Sequence, residues 1–191
     1  MESKREKTGA LLIFCIALVT LTALILRPSI SQDLAYHEFS DVLSFMGMPN
    51  TLNVLSNLPF LVVGLWGVNS VLRNPSMQVL YENKLAYIAL FAGTALVSLG
   101  SGYYHLWPNN STLVWDRLPM TIAFMGLVSI MISEFISLKL GKRLLFPLLV
   151  LGCLSVLYWH ITELQGKVDL RPYIFVQFFP ILAIPVMLLL F

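Results

Sequence analysis

Residues 85–104 read LAYIALFAGTALVSLGSGYY, a run of 20 residues without a single charge. An α-helix rises 1.5 Å per residue, so about 20 apolar residues cross the hydrocarbon core of a bilayer. This run has that length, and five more runs resemble it: residues 10–26, 52–72, 118–138, 144–162 and 172–191. Composition points the same way. Hydrophobic residues make up 58% and charged residues 12%, with a mean hydropathy of +0.81. Soluble domains are about 45–50% apolar and about 25% charged. The expected fold is all-α, a multi-pass transmembrane bundle of six spans in a single domain covering residues 1–191. Disorder and collagen are excluded, and the net charge of +2 excludes a strongly basic nucleic-acid binder. Cys15 and Cys153 both fall in apolar runs, form no CxxC pair and do not report a redox compartment.

The first run follows Lys4, Arg5 and Lys7 and has the outline of a signal peptide. However, Ser29-x-Ser31 is a poor cleavage site and the run is as long as a true span, so an uncleaved helix is expected. Lysines and arginines set the orientation. One set of span ends holds eight of them: Lys4, Arg5, Lys7, Arg73, Lys84, Lys139, Lys142 and Arg143. The other holds four: Arg27, Arg117, Lys167 and Arg171. The N-terminus is therefore expected in the cytoplasm. His37, His105 and His160 fall on the opposite side, with Asp33, Glu38, Asp41, Asp116, Glu163 and Asp169. Trp107, Trp115 and Trp159, with Tyr103, Tyr104 and Tyr158, read as an interfacial aromatic belt on that side.

Three polar stretches could carry chemistry. The richest runs from Gly100-Ser101-Gly102-Tyr103-Tyr104-His105 to Asp116-Arg117-Leu118-Pro119. Ser101 and His105 are four apart and share a helical face. A hairpin between the third and fourth spans would return Asp116 beside them. Each has a plainer role as well: Ser101 as a small packing residue beside Ser98, Gly100 and Gly102, Asp116 as a helix N-cap, His105 as an interfacial histidine. Together, polar groups this close to hydrocarbon are costly and usually functional.

Asn50, Asn53 and Asn57, with Ser56, form a second stripe at helical spacing, with interhelical hydrogen bonding as the plainer role. The preceding loop carries Asp33, His37, Glu38 and Asp41. Such oxygen-rich loops can hold calcium, but the spacing is not that of an EF-hand, and a solvated acidic loop is the simpler expectation. In the third stretch His160 and Glu163 are three apart and could share a metal, while Asp169 and Arg171 read as an interfacial pair. Asn109-Asn110-Ser111-Thr112 contains two overlapping glycosylation sequons, whose position beside the candidate site argues against modification.

Ser-x3-His followed eleven residues later by Asp, on neighbouring membrane helices, resembles the alkaline ceramidases of the CREST superfamily of membrane hydrolases. Here the match is Ser101, His105 and Asp116. Asn53-x-x-Ser56-Asn57-Leu58-Pro59 is similar to that family's first-helix motif, and Asp169-Leu170-Arg171-Pro172-Tyr173 with Val176-Gln177-Phe178 to a ceramidase-like subfamily. The resemblance covers residues 33–185. It implies zinc bound by three histidines, the one in Ser-x3-His and two in an His-x3-His on the last helix. Such zinc keeps an open position and lowers the pKa of its water to about 7. It further implies His105 as a ligand, Ser101 as oxyanion donor, Asp116 as acid/base, and a ceramide-like lipid as substrate. This chain carries no His-x3-His and stops inside the apolar run Leu188-Leu189-Leu190-Phe191. The resemblance therefore leads one to expect two further helices of a seven-helix core downstream, with residues 1–191 inactive alone. Asn50 stands near the place of the family's calcium-binding glutamate, which puts calcium in question. A small transporter or proton conductor lined by Asn50, Asn53, His105, Asp116 and His160, and a catalytically silent receptor or assembly factor on the same scaffold, are the rival readings.

Overall fold

The computed structural model describes residues 4–73 and 81–190. Seven α-helices carry the described chain: α1 Lys4–Ile25, α2 Thr51–Leu55, α3 Leu58–Arg73, α4 Lys84–Leu106, α5 Asn110–Phe135, α6 Leu138–Leu164 and α7 Arg171–Leu190. Single-turn 3₁₀ helices at Leu34–His37 and Tyr81–Asn83 complete it, and no strand occurs among the described residues. Six helical segments are long and apolar enough to cross a membrane, with α2 and α3 forming one of them. The expected all-α bundle of six spans is therefore the fold. Phe191, the last residue of the expected sixth span, lies outside the described residues.

The second span is broken where a single helix over 52–72 was expected. α2 ends at Leu55 and α3 begins at Leu58. Pro59 disfavours helical backbone just before it, and Ser56 and Asn57 turn their side chains back to the Asn53 carbonyl, 2.8 Å away in each case. The larger correction concerns the fourth span. It begins at Asn110 rather than at 118, because Asn109 caps it: its side chain accepts from the Ser111 and Thr112 amides, and Thr112 returns a bond to the Asn109 amide. Asp116 thus sits inside α5, not at its start, and its expected capping role falls away. Pro119 likewise lies in the helix interior, tolerated where neighbouring groups satisfy the freed backbone.

α5 is the central helix, with half of its span window buried against 11% for α1. Its neighbours approach closely because the contact points are glycines. Gly93 on α4 faces the Ala123 backbone, and Gly126 on α5 faces Leu90. Without a hydrophobic drive in lipid, such small-residue contacts let dispersion hold helices together. Two apolar clusters flank the middle of the bundle. One gathers Met125, Val128, Val176 and Met187; the other gathers Leu113, Val156, Trp159 and Tyr173 near the candidate site. The aromatic belt is only partly real. Trp107, Trp115, Tyr103 and Tyr158 are exposed, but Trp159 and Tyr104 are buried in that second cluster.

Candidate active site

The α4–α5 seam builds the site from the backbone upward. Gly100 lies where α4 meets α5 at Trp115 and Asp116, and a Cβ there would collide with the Trp115 carbonyl oxygen. This approach is only possible for glycine. It puts Ser101 opposite Asp116, with the two side chains close to each other across the seam. His105 follows one turn later on α4. Ser101 is buried. His105 Nδ1 is buried without a hydrogen-bond partner, while its backbone carbonyl accepts from Asn50 Nδ2 at 2.9 Å. Asn50 reaches it because it holds a left-handed backbone, φ 49°, at the start of α2, a conformation that asparagine tolerates. The expected hairpin is therefore present and sets Asp116 across from Ser101, while His105 follows Ser101 by one turn with Asn50 at its backbone carbonyl.

Residues 28–50, between α1 and α2, form a roof over this end. Phe39 brings its ring centre to 4.7 Å from that of His105 and 5.6 Å from that of Tyr104. His37 Nδ1 lies 2.8 Å from Tyr104 Oη, and its Nε2 lies 2.7 Å from Asn110 Oδ1. Asn110 Nδ2 donates in turn to Glu163 Oε1 at 2.7 Å. Since the Asn110 oxygen can only accept, His37 carries its proton on Nε2 and takes the Tyr104 hydroxyl on Nδ1. A chain of four side chains thus ties the roof to α4, α5 and α6.

The remaining expected residues are engaged in other contacts. Asp33 caps the 3₁₀ turn by accepting from Ala35 N at 3.0 Å. Asp41 accepts from Leu43 N at 3.0 Å and from Asn53 N at 2.9 Å, so the two aspartates of the calcium reading serve backbone amides. His160 Nδ1 and Glu163 Oε2 are buried without partners. Asp169 and Arg171 pair at 2.8 Å, as expected. Asn109 and Asn110 are engaged in the cap and the His37 chain rather than presented as free sequons. Tyr104, Asn110 and Phe39 were missed as site residues. The cap pattern at 109–112 was the available signal: it shifts the helix start by two turns and brings Asn110 into play.

Metal fits the described residues only in part. The resemblance calls for three histidines, and catalytic zinc takes three protein ligands. Among the described residues no group of three or more His, Cys, Asp or Glu side chains comes together. His37 is bound elsewhere, so the described site supplies one imidazole, that of His105.

An apolar crevice of about 260 Å³ opens along the same α4–α5 seam, between Leu96, Leu99, Gly100, Trp115, Leu118 and Ile122. A larger one, about 380 Å³, lies between α1, α6 and α7 and touches none of the three central residues. Proximity to the polar groups, not size, makes the smaller one relevant here.

The family model described as Ceramidase matches residues 46–191. The chain belongs to the ceramidase family. That match covers α2 to α7 and all three residues of the α4–α5 seam, whereas α1 and most of the roof precede it. No curated protein and no solved structure matches the chain. As a ceramidase-family member with six apolar spans, it is an integral multi-pass membrane protein, and ceramide hydrolysis is the activity that membership supports.

Proposed function

We propose, in place of the inactivity expected for residues 1–191 alone, that the chain cleaves the N-acyl bond of a ceramide-like lipid at the α4–α5 seam. One observation carries this reading: Asp116, inside a membrane helix, faces Ser101 across the Gly100 contact, and Ser101 lies one turn before His105. An intramembrane carboxylate is expensive and is retained for function by default. Asp116 takes a proton from the attacking water as its oxygen bonds to the amide carbonyl carbon. The same carboxyl returns that proton to the nitrogen as the C–N bond breaks, releasing a fatty acid and a sphingoid amine. Ser101 turns its O–H to the carbonyl oxygen as negative charge develops there. The seam crevice receives the acyl chain. His105 is the residue we assign toward the zinc that the family implies.

The Lys/Arg asymmetry orients the molecule in this proposal, with the N-terminus cytoplasmic and the site at the opposite interface.

Ceramide hydrolysis by purified protein in lipid vesicles tests the reading, with zinc content measured alongside. Ser101→Ala should lower turnover by about 10²–10³, the usual worth of one oxyanion donor. His105→Ala should reduce both zinc content and turnover. Turnover unchanged in Ser101→Ala would overturn the assignment.

A further inference from the structure

Arg117 follows Asp116 on α5 but faces the other way. Its side chain is 7% exposed, and among the described residues it meets no carboxylate at ion-pair distance. Rings surround it instead. The guanidinium carbon lies 4.4 Å from the ring centre of Trp159 on α6, 4.7 Å from Tyr173 on α7, and 6.0 Å from Tyr36 in the roof. Nη2 donates to Gln32 Oε1, also in the roof, at 2.5 Å. A buried cation with no carboxylate in contact is costly, and aromatic faces, with the more distant Asp116, offset that cost here. Two of these four partners belong to fixed helices and two to residues 28–50.

This division gives Arg117 a mechanical role. The roof's bonds to itself are short-range: Tyr36 N to Asp33 O, Glu38 N to Ala35 O and the Phe45–Met48 turn. Its ties to the bundle are few. Ile30 O accepts from Leu170 N, His37 reaches Tyr104 and Asn110, Asn50 reaches the His105 carbonyl, and Asp41, Leu43 and Phe45 meet the first turn of α2. Arg117 meets the roof at Gln32 and Tyr36, between Ile30 and His37 in the chain, and the roof it holds is the segment that lays Phe39 against His105.

We propose that Arg117 is a positioning residue, a rivet that joins the roof to α6 and α7 and so keeps Phe39 and His37 over the Ser101–His105–Asp116 site. The planar guanidinium is essential to it. It stacks on Trp159 and donates to Gln32 at once, which a lysine ammonium cannot do. The kinetic part of this inference rests on the hydrolase reading; the structural part does not.

The experiment compares the unaltered protein with Arg117→Lys and Arg117→Met in lipid vesicles. Amide hydrogen exchange is followed over residues 30–40 and over α4. In Arg117→Met, exchange over 30–40 should rise about tenfold or more while that of α4 stays constant, because local opening is confined to the segment released. Arg117→Lys should fall between. With ceramide as substrate, KM should rise about tenfold in Arg117→Met and kcat change by less than about threefold, the signature of a lost binding wall rather than lost chemistry. If Arg117→Met fails to fold, the paired substitution Gln32→Ala with Tyr36→Leu removes the rivet from the roof side and should give the same exchange. Unchanged exchange over 30–40 in these variants would overturn the proposal, as would a fall in kcat at constant KM. Absence of hydrolysis in the unaltered protein would sink the functional reading, and exchange alone would then decide the rivet.

Discussion

The floor and the roof of the site are built by different physics. The floor, where α4 meets α5, is a helix–helix contact closed at Gly100, with Ser101, His105 and Asp116 placed by helical geometry. The roof, residues 28–50, has one 3₁₀ turn and one tight turn of its own, and rests on the bundle through single side chains: His37, Phe39, Asn50 and the partners of Arg117. A floor of this kind tolerates almost no added volume, because backbone faces backbone. A roof of this kind depends on individual hydrogen bonds and can loosen without unfolding the helices beneath it. The division also follows the family match, which contains the whole floor but only the last residues of the roof.

The sharpest way to break the comparison is at Gly100. Gly100→Ala puts a methyl into the Trp115 carbonyl and should destabilise the protein by about 1–3 kcal/mol or more, as overpacking does. Thermal unfolding in detergent would show it, and ceramide turnover should fall with it because Ser101 is pushed from Asp116. A melting temperature unchanged by this substitution would mean that the seam is slacker than described.

A smaller effect is expected where the roof meets α1 and α7. Arg171 holds Asp169 by side-chain bonds and also donates to the Ile25 and Arg27 carbonyls at the end of α1. Those bonds hold the Asp169 carboxyl below its ordinary range. A carboxyl whose folded pKa is depressed stabilises the fold above its unfolded pKa and ceases to do so as pH falls through the folded one. The stability gap between the unaltered protein and Asp169→Asn should therefore be open at neutral pH and close below about pH 4, near the unfolded carboxyl value. A gap that persists undiminished at low pH would show that the ion pair is not its source.

The smallest effect lies two residues beyond the largest. Gly102 has open space where its Cβ would be, so Gly102→Ala should stabilise α4 slightly, by about 0.5–1 kcal/mol. Loss of stability at Gly102 equal to that at Gly100 would erase the distinction between a contact glycine and a bystander.

The same contrast explains what could be read from the sequence. Spans were legible because length and apolar content determine them. The facing of Ser101 and Asp116 was legible because a short hairpin between neighbouring helices leaves little freedom, and the shared face of Ser101 and His105 follows from their four-residue spacing. The start of α5 was misread because Pro119 and Asp116 resemble an N-terminus, while the true cap at Asn109 was hidden among loop-like polar residues. Arg117 was counted only as one charge of the orientation rule. Its cage draws on Gln32, Tyr36, Trp159 and Tyr173, residues scattered over the chain that only the fold assembles. His37 was grouped with His105 and does lie at that end of the bundle, but its link through Asn110 to Glu163 has no periodic signature.

The central claim is that Asp116 serves chemistry at the seam. Asp116→Asn keeps the size and polarity of the side chain and removes its ability to carry a proton. Ceramide hydrolysis by this variant in lipid vesicles, beside an unaltered control of equal melting temperature, tests the claim most directly. A loss of about 10²–10⁴ in turnover is predicted, the range expected for a general acid–base group; turnover equal to the control would contradict it.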